Sequence, residues 1–308
     1  DICRRMHGKV FRFDELEVGV NFPPFHPHCR TTFIGVLEGE KSSYNTNIID
    51  KFKNVYEQWD GNSVKSFASK IIGLEKLPLK VQRHKIHAYG QCQLSFEGSK
   101  INIQTFEINS SDLRSVEYQI KTIFHELFHA KSHGAIHDIG KISFRDWAYI
   151  DDVFAEATSH YITKSIGISK ELTPSYAGHL VETLPKLKKL PDFKDCHTIA
   201  DFGEVAMKYR YSDTPNAEWS SLFHTLENIE FDIIEYSKQY VDYITENKEE
   251  LLDKLLENMP QYSDYKQIMS GELDAAINNI KKGKSLSGNE KMLFENALII
   301  SMNRLGVK

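Results

Sequence analysis

Residues 121–134, KTIFHELFHAKSHG, constrain this chain more than any other stretch. Leu113, Val116, Ile120, Ile123, Phe124 and Leu127 recur every three to four positions, the period of a helix with one buried side. NSSDL (109–113) supplies capping residues ahead of it, and Gly134 is placed to end it. Inside the stripe, His125-Glu126-Leu127-Phe128-His129 is HExxH. Imidazoles four positions apart stand one turn above each other, so both can reach a single zinc ion. Glu126 then lies to the side, where it can hold a water and take its proton. The motif falls on an expected helix with a hairpin just before it, a setting that a chance match among 13 histidines rarely has.

A third ligand must come from elsewhere. His133 continues the spacing, but eight residues of straight helix rise about 12 Å, too far for three imidazoles to share one ion. A glycine break followed by a third histidine is absent, because Ser132 and Ala135 stand at those positions. His133 and His137 therefore read as surface residues or as supports. The next expected helix, FRDWAYIDDVFAEATSHYITKSIG, offers Asp151, Asp152 and Glu156. Asp152 and Glu156 are four apart and share a face, so one would bind the metal and the other would orient His125 or His129. Glu156 is the expected ligand because its longer side chain reaches further, with Asp152 as the alternative. Asp151 lies one step off that face and is expected to be solvated or to pair with Arg145.

The remaining sequence sets outer bounds. A chain of 308 residues with 41% hydrophobic and 26% charged residues suits one large or two smaller globular domains. A net charge of −5 gives no general affinity for nucleic acid, and no apolar run is long enough to span a membrane. Four cysteines, Cys3, Cys29, Cys92 and Cys196, are too sparse for a disulfide scaffold. Cys92 and Cys196 need no role beyond packing. The first residue is Asp1, with neither an initiator methionine nor a signal peptide, which reads as a piece of a longer polypeptide.

Residues 1–37, rich in glycine and proline, read as a small loop-and-strand module, and 38–47 as a polar linker. Helices are expected over 48–59 and 62–77. HKIHAYGQCQLSF and KINIQTFEI alternate on either side of Glu97-Gly98-Ser99, as a hairpin does. From 171 onward nearly everything reads as helix, notably 218–238, 241–258, 265–282 and 290–305.

HExxH followed by a carboxylate on the next helix resembles the gluzincin peptidases. AYIDDVFAEATSHY is similar to the second-helix motif of the anthrax lethal factor-like peptidases. In that family a zinc glutamate opens an E-x-F-A-E run, and a catalytic tyrosine precedes the ligand by seven residues. The run aligns Asp152 with the ligand and Glu156 with its support. The tyrosine spacing instead aligns Tyr149 with the catalytic residue and Glu156 with the ligand. The resemblance covers about residues 48–167. It implies a zincin-like core over 48–170; together with the small hairpin or sheet and the helical pattern over 171–308, the fold expected is α+β, predominantly α-helical. It further implies Zn2+ on His125, His129 and Glu156 (or Asp152), with Glu126 as the base. Tyr149 would be the donor to the oxyanion, ahead of Tyr209, Arg210, Tyr211 and His224. The substrate would be a peptide or protein, which the hairpin near 88–107 could bind by strand addition.

CRRMHGKVF and GVNFPPFHPHCRTT resemble the cysteine/histidine knuckle that closes the head-morphogenesis domain of Mu F-like phage minor head proteins. Cys3, His26 and Cys29 fall on knuckle positions, and the family's first cysteine would fall just before Asp1. A metal knuckle and simple tight packing both remain open for these residues. The two resemblances together imply a metallopeptidase extension on a virion protein, acting as a toxin or effector. Phage head or portal proteins and an immunity protein would be its partners, in the virion or the bacterial cytoplasm. The alternative is a structural head protein with a non-catalytic metal, held by four protein ligands. A third reading is a hydrolase of something other than peptide.

Overall fold

Alternating and amphipathic stretches succeed one another along the chain, and the computed structural model turns them into helices around a small sheet. It describes residues 43–72, 79–97, 100–132, 144–209 and 219–308. Cys3, His26, Cys29, His133, His137, Arg210 and Tyr211 lie outside the described residues. Helices α1 (Ser43–Glu57) and α2 (Gly61–Ile72) come first. Asp60 accepts from Asn62 N at 3.2 Å and from the Ser63 hydroxyl, which fixes the start of α2. Phe52, Tyr56, Val64, Ala68 and Ile72 recur at helical spacing and are buried.

Strands β1 (Leu79–His84), β2 (Gly90–Glu97) and β3 (Lys100–Asn109) form one sheet in the order β1-β3-β2. β2 and β3 pair antiparallel, as the alternation predicts, and β1 adds a parallel partner on the other side of β3. β1 was not expected. Its sequence LKVQRH sets two aliphatic residues among charged and polar ones, a pattern too weak to mark a strand. Phe106 and Ile108, two apart on β3, both point inward at 1% exposure.

The chain enters α3 (Val116–Lys131) through the NSSDL turn. Asn109 Oδ1 accepts from Ser111 N and Asp112 Oδ1 from Arg114 N, each at 2.9 Å. These side chains shape the turn, while Ser115 occupies the N-cap position without a side-chain hydrogen bond to the helix. Leu113 does not join the buried stripe. It precedes the first helical turn and is 73% exposed, because the helical period does not extend back to it. α3 itself is buried on nearly every side, polar residues included, between the sheet, α2 and the next helix.

That next helix is α4 (Phe144–Ser165). It ends as Gly167 takes φ 99°, with Gly167 N donating to Lys164 O and Ile168 N to Thr163 O. Seven helices follow it in the first instance: α5 (Ala177–Lys188), α6 (Ile199–Tyr209), α7 (Trp219–Glu227), α8 (Ile233–Ser237), α9 (Val241–Glu246), α10 (Lys248–Asn258) and α11 (Lys266–Lys281); α12 (Gly288–Leu305) closes the fold. The helix expected over 218–238 is interrupted. Asp232 opens a new one by accepting from Ile234 N and Glu235 N at 2.9 and 3.1 Å. The helix expected over 241–258 is likewise split at Asn247.

α6 lies against α4 at Gly203, where a Cβ would stand 2.1 Å from Ala157 O. No side chain fits there, so glycine sets that helix spacing. Residues Ile48–Lys308 form one compact unit with a continuous buried core. The fold is α+β and predominantly helical. No helix among the described residues is long and apolar enough to cross a membrane.

Candidate metal centre

α3 projects His125, Glu126 and His129 toward α4, which answers with three carboxylates. His125 Nδ1 donates to Glu156 Oε2 at 2.9 Å. His129 Nδ1 donates to Asp151 Oδ2 at 2.6 Å. With each Nδ1 so engaged, each Nε2 presents its lone pair on the opposite side. Those two Nε2 atoms are 3.1 Å apart. Asp152 Oδ1 lies 3.2 Å from Nε2 of His129 and 3.8 Å from Nε2 of His125. Metal–ligand bonds of 2.0–2.1 Å in a tetrahedral site place ligand atoms about 3.3 Å from one another. The three donor atoms match that spacing, and His125, His129 and Asp152 are the group among the described residues able to hold a metal ion. The donor set therefore fits a zinc ion in both chemistry and spacing.

Electrostatics say the same. Burial works against charge on both imidazoles, yet Asp152 and Glu156 raise the pKa of His125, and Asp151 and Asp152 raise that of His129 well above its usual value. Burial would also raise Asp152, but the two imidazoles facing it hold it below the ordinary carboxylate range. The cluster thus attracts positive charge into the space between its donors, where a divalent cation can replace protons.

Glu126 is buried beside this group, and its pKa is raised, chiefly by burial, with Asp152 adding to the effect. The backbone N–H of Cys92 on β2 opposes that rise slightly. β2 comes this close because residue 90 is glycine: a Cβ there would stand 2.7 Å from Thr122 Cγ2 and 2.8 Å from Glu126 Cγ. The edge strand and the HExxH helix therefore meet at Glu126.

Behind His125 a second polar network is closed. Glu156 Oε1 accepts from Lys121 Nζ, from Ser175 N at 2.7 Å and from His160 Nε2 at 3.2 Å. Lys121 also donates to Thr173 O at 3.2 Å. Both ends of this pair are 1% exposed. The Lys121 charge and the two imidazoles hold Glu156 well below the usual range against its burial.

The structure sorts the sequence-derived candidates by position. Asp152 stands in front of both imidazoles, and Glu156 stands behind His125. Asp151 is not solvated. It is 1% exposed and holds His129, because adjacent residues of α4 straddle that ring and meet its two nitrogens. Tyr149 faces away from the donors. Its hydroxyl lies 3.3 Å from Glu182 Oε2 and 3.4 Å from His179 O, beside a smaller cavity that includes Lys186 and Leu226. His224 is exposed and pairs with Glu227 at 3.4 Å. Sequence reasoning passed over Tyr176, whose ring stacks on His125 at 5.2 Å and 5°. Only its place ahead of α5 marked it.

His125 and Glu126 open onto a cleft of about 720 Å³, whose lining includes neither His129 nor Asp152. Tyr89 and Gly90 form one wall, His125 and Glu126 the floor, and Tyr262 and Met292 from the C-terminal helices the far side. Arg114 ties the walls together. It donates to Asn258 Oδ1 at 3.1 Å and Thr122 Oγ1 at 2.8 Å, and lies 3.5 Å from the centre of the Tyr89 ring.

Residues 1–34 match the family described as Phage Mu protein F like protein. The N-terminal segment is thus phage minor head-like, in agreement with its cysteine and histidine pattern. No curated protein and no solved structure matches the chain.

Proposed function

We propose that residues 48–308 are a zinc metallopeptidase domain carried behind a phage minor head-like segment, a toxin or effector that hydrolyses peptide bonds. The observation that carries this reading is the convergence of two imidazole Nε2 atoms and one carboxylate oxygen, each imidazole backed by a further carboxylate. His125, His129 and Asp152 would hold the Zn2+, with Glu156 and Asp151 orienting the rings. A bound Zn2+ supplies Lewis acidity toward a carbonyl and makes water a better nucleophile near neutral pH. Glu126, buried and raised in pKa, takes a proton from that water and returns it to the leaving amine. The exposed edge of β2 can align an extended peptide along the cleft. The partners on this reading are a peptide or protein substrate, phage head or portal proteins, and an immunity protein in the producing cell.

Chelator-treated protein should take up one Zn2+ and then cleave denatured casein. Glu126→Gln should keep the metal and lose the cleavage. A wild-type chain that binds no Zn2+, or a Glu126→Gln variant that cleaves as well as wild type, refutes the proposal. The phage-like segment favours a second reading, a head component in which the metal only fastens α3 to α4. That reading requires four protein ligands on the metal and predicts no turnover in either protein.

A further inference from the structure

Between α4 and α5 the chain passes directly over His125. Tyr176 there has φ 56° and ψ 37°, a left-handed conformation that a bulky residue adopts only when its surroundings impose it. The surroundings are visible. Thr173 N donates to the Tyr118 hydroxyl at 2.8 Å, Lys121 holds Thr173 O, and Ser175 N donates to Glu156. The strained backbone lays the Tyr176 ring parallel to His125 and on the wall of the cleft that holds Glu126. Its hydroxyl has no hydrogen-bond partner among the described residues; its ring lies against His125 and His179 while the residue as a whole is 42% exposed. A phenol hydroxyl carries its proton at neutral pH and can donate.

We infer that Tyr176 is the catalytic hydrogen-bond donor of this site, contacting the substrate carbonyl oxygen as negative charge builds on it. Glu156 is a positioning residue for two groups at once, since one carboxylate orients His125 through Oε2 and fixes the Tyr176 loop through Oε1. A metal ligand and an oxyanion donor are therefore held by the same buried group. Tyr149, which the spacing to Glu156 suggests for this role, faces Glu182 instead.

The assignment rests on the metal reading above, and its test separates the two. The full chain is loaded with Co2+, and acetohydroxamate is titrated against the cobalt absorption bands, a probe that binds the metal through its own oxygens and needs no peptide subsite. Tyr176→Phe should bind Co2+ as wild type does and acetohydroxamate roughly 10- to 100-fold more weakly, the loss expected for one hydrogen bond to a charged oxygen. Tyr149→Phe should match wild type in both. Equal acetohydroxamate binding by Tyr176→Phe and wild type overturns the assignment, as does an equal loss in Tyr149→Phe, or a Tyr176→Phe loss that appears in Co2+ affinity itself. A wild-type chain without cobalt bands overturns the metal site, and the assignment with it.

Discussion

Asp152 and Glu156 are chemically alike and one helical turn apart, yet their removal should have opposite consequences. Glu156 is 1% exposed and is the counter-charge of Lys121, also 1% exposed. In Glu156→Gln, Lys121 must give up either its proton or its burial. Breaking a buried pair on one side costs about 3–5 kcal/mol, a large share of the 5–15 kcal/mol that typically holds a domain together. At the lower end this lowers the unfolding temperature by about 6–12 °C. Asp152 has a side chain 21% exposed and, among the described residues, no cationic partner apart from the two imidazoles. Asp152→Asn should therefore change the metal-free protein by no more than about 1 kcal/mol. With metal the order reverses. Asp152→Asn loses a direct ligand and most of its Zn2+ affinity, while Glu156→Gln loses a supporting hydrogen bond, a cost of about 10- to 100-fold in affinity. Thermal unfolding in a chelator, followed by Zn2+ titration of each variant, reads both quantities. If metal-free Asp152→Asn unfolds as early as Glu156→Gln, or if Glu156→Gln is the variant that fails to bind Zn2+, the placement of front and back carboxylates is wrong.

Three further perturbations test other parts of the architecture. Gly203→Ala forces a Cβ to within 2.1 Å of Ala157 O, so α6 and α4 must part by about 1 Å, at a cost of about 3 kcal/mol or more in urea unfolding. Gly90→Ala displaces Glu126 from the strand side and should lower casein cleavage by about 10- to 100-fold with Zn2+ affinity unchanged; unchanged cleavage would show that β2 does not set the position of Glu126. Glu117 pairs with Lys53 at 2.6 Å, and its pKa falls from 4.5 to about 2 because that hydrogen bond outweighs burial. The folded value lies below the unfolded one, so the pair stabilises above about pH 4.5 and its contribution fades as the pH drops toward 2. Lys53→Met should thus be up to about 1 kcal/mol less stable than wild type at pH 6 and equal to it near pH 2; a gap that stays constant with pH would contradict this.

What could be read from the residues follows from what each level of structure depends on. α3 was legible because period, turn chemistry and HExxH spacing agree on one helix. β2 and β3 were legible from alternation alone. The acidic partners were narrowed to three residues of α4, but which carboxylate meets which nitrogen depends on how α4 is seated, and Ala157 of α4 packs on Gly203, far along the chain. Tyr176 was hidden for a related reason. Its orientation comes from a backbone strain imposed by Glu156, Lys121 and Tyr118, none of them its neighbours in sequence. Breaks such as residues 228–232 depend on a single cap, Asp232, inside an otherwise helical composition.

The buried core that begins near Phe52 does not finish until Val307, whose N–H donates to His197 O at 2.8 Å, one residue past the Gly306 carbonyl that receives the Tyr240 hydroxyl. A recombination point between Arg114 and Asn258 would part these two residues, which hydrogen-bond at 3.1 Å, and strip one side from the cleft. Such a unit can be moved between chains only whole.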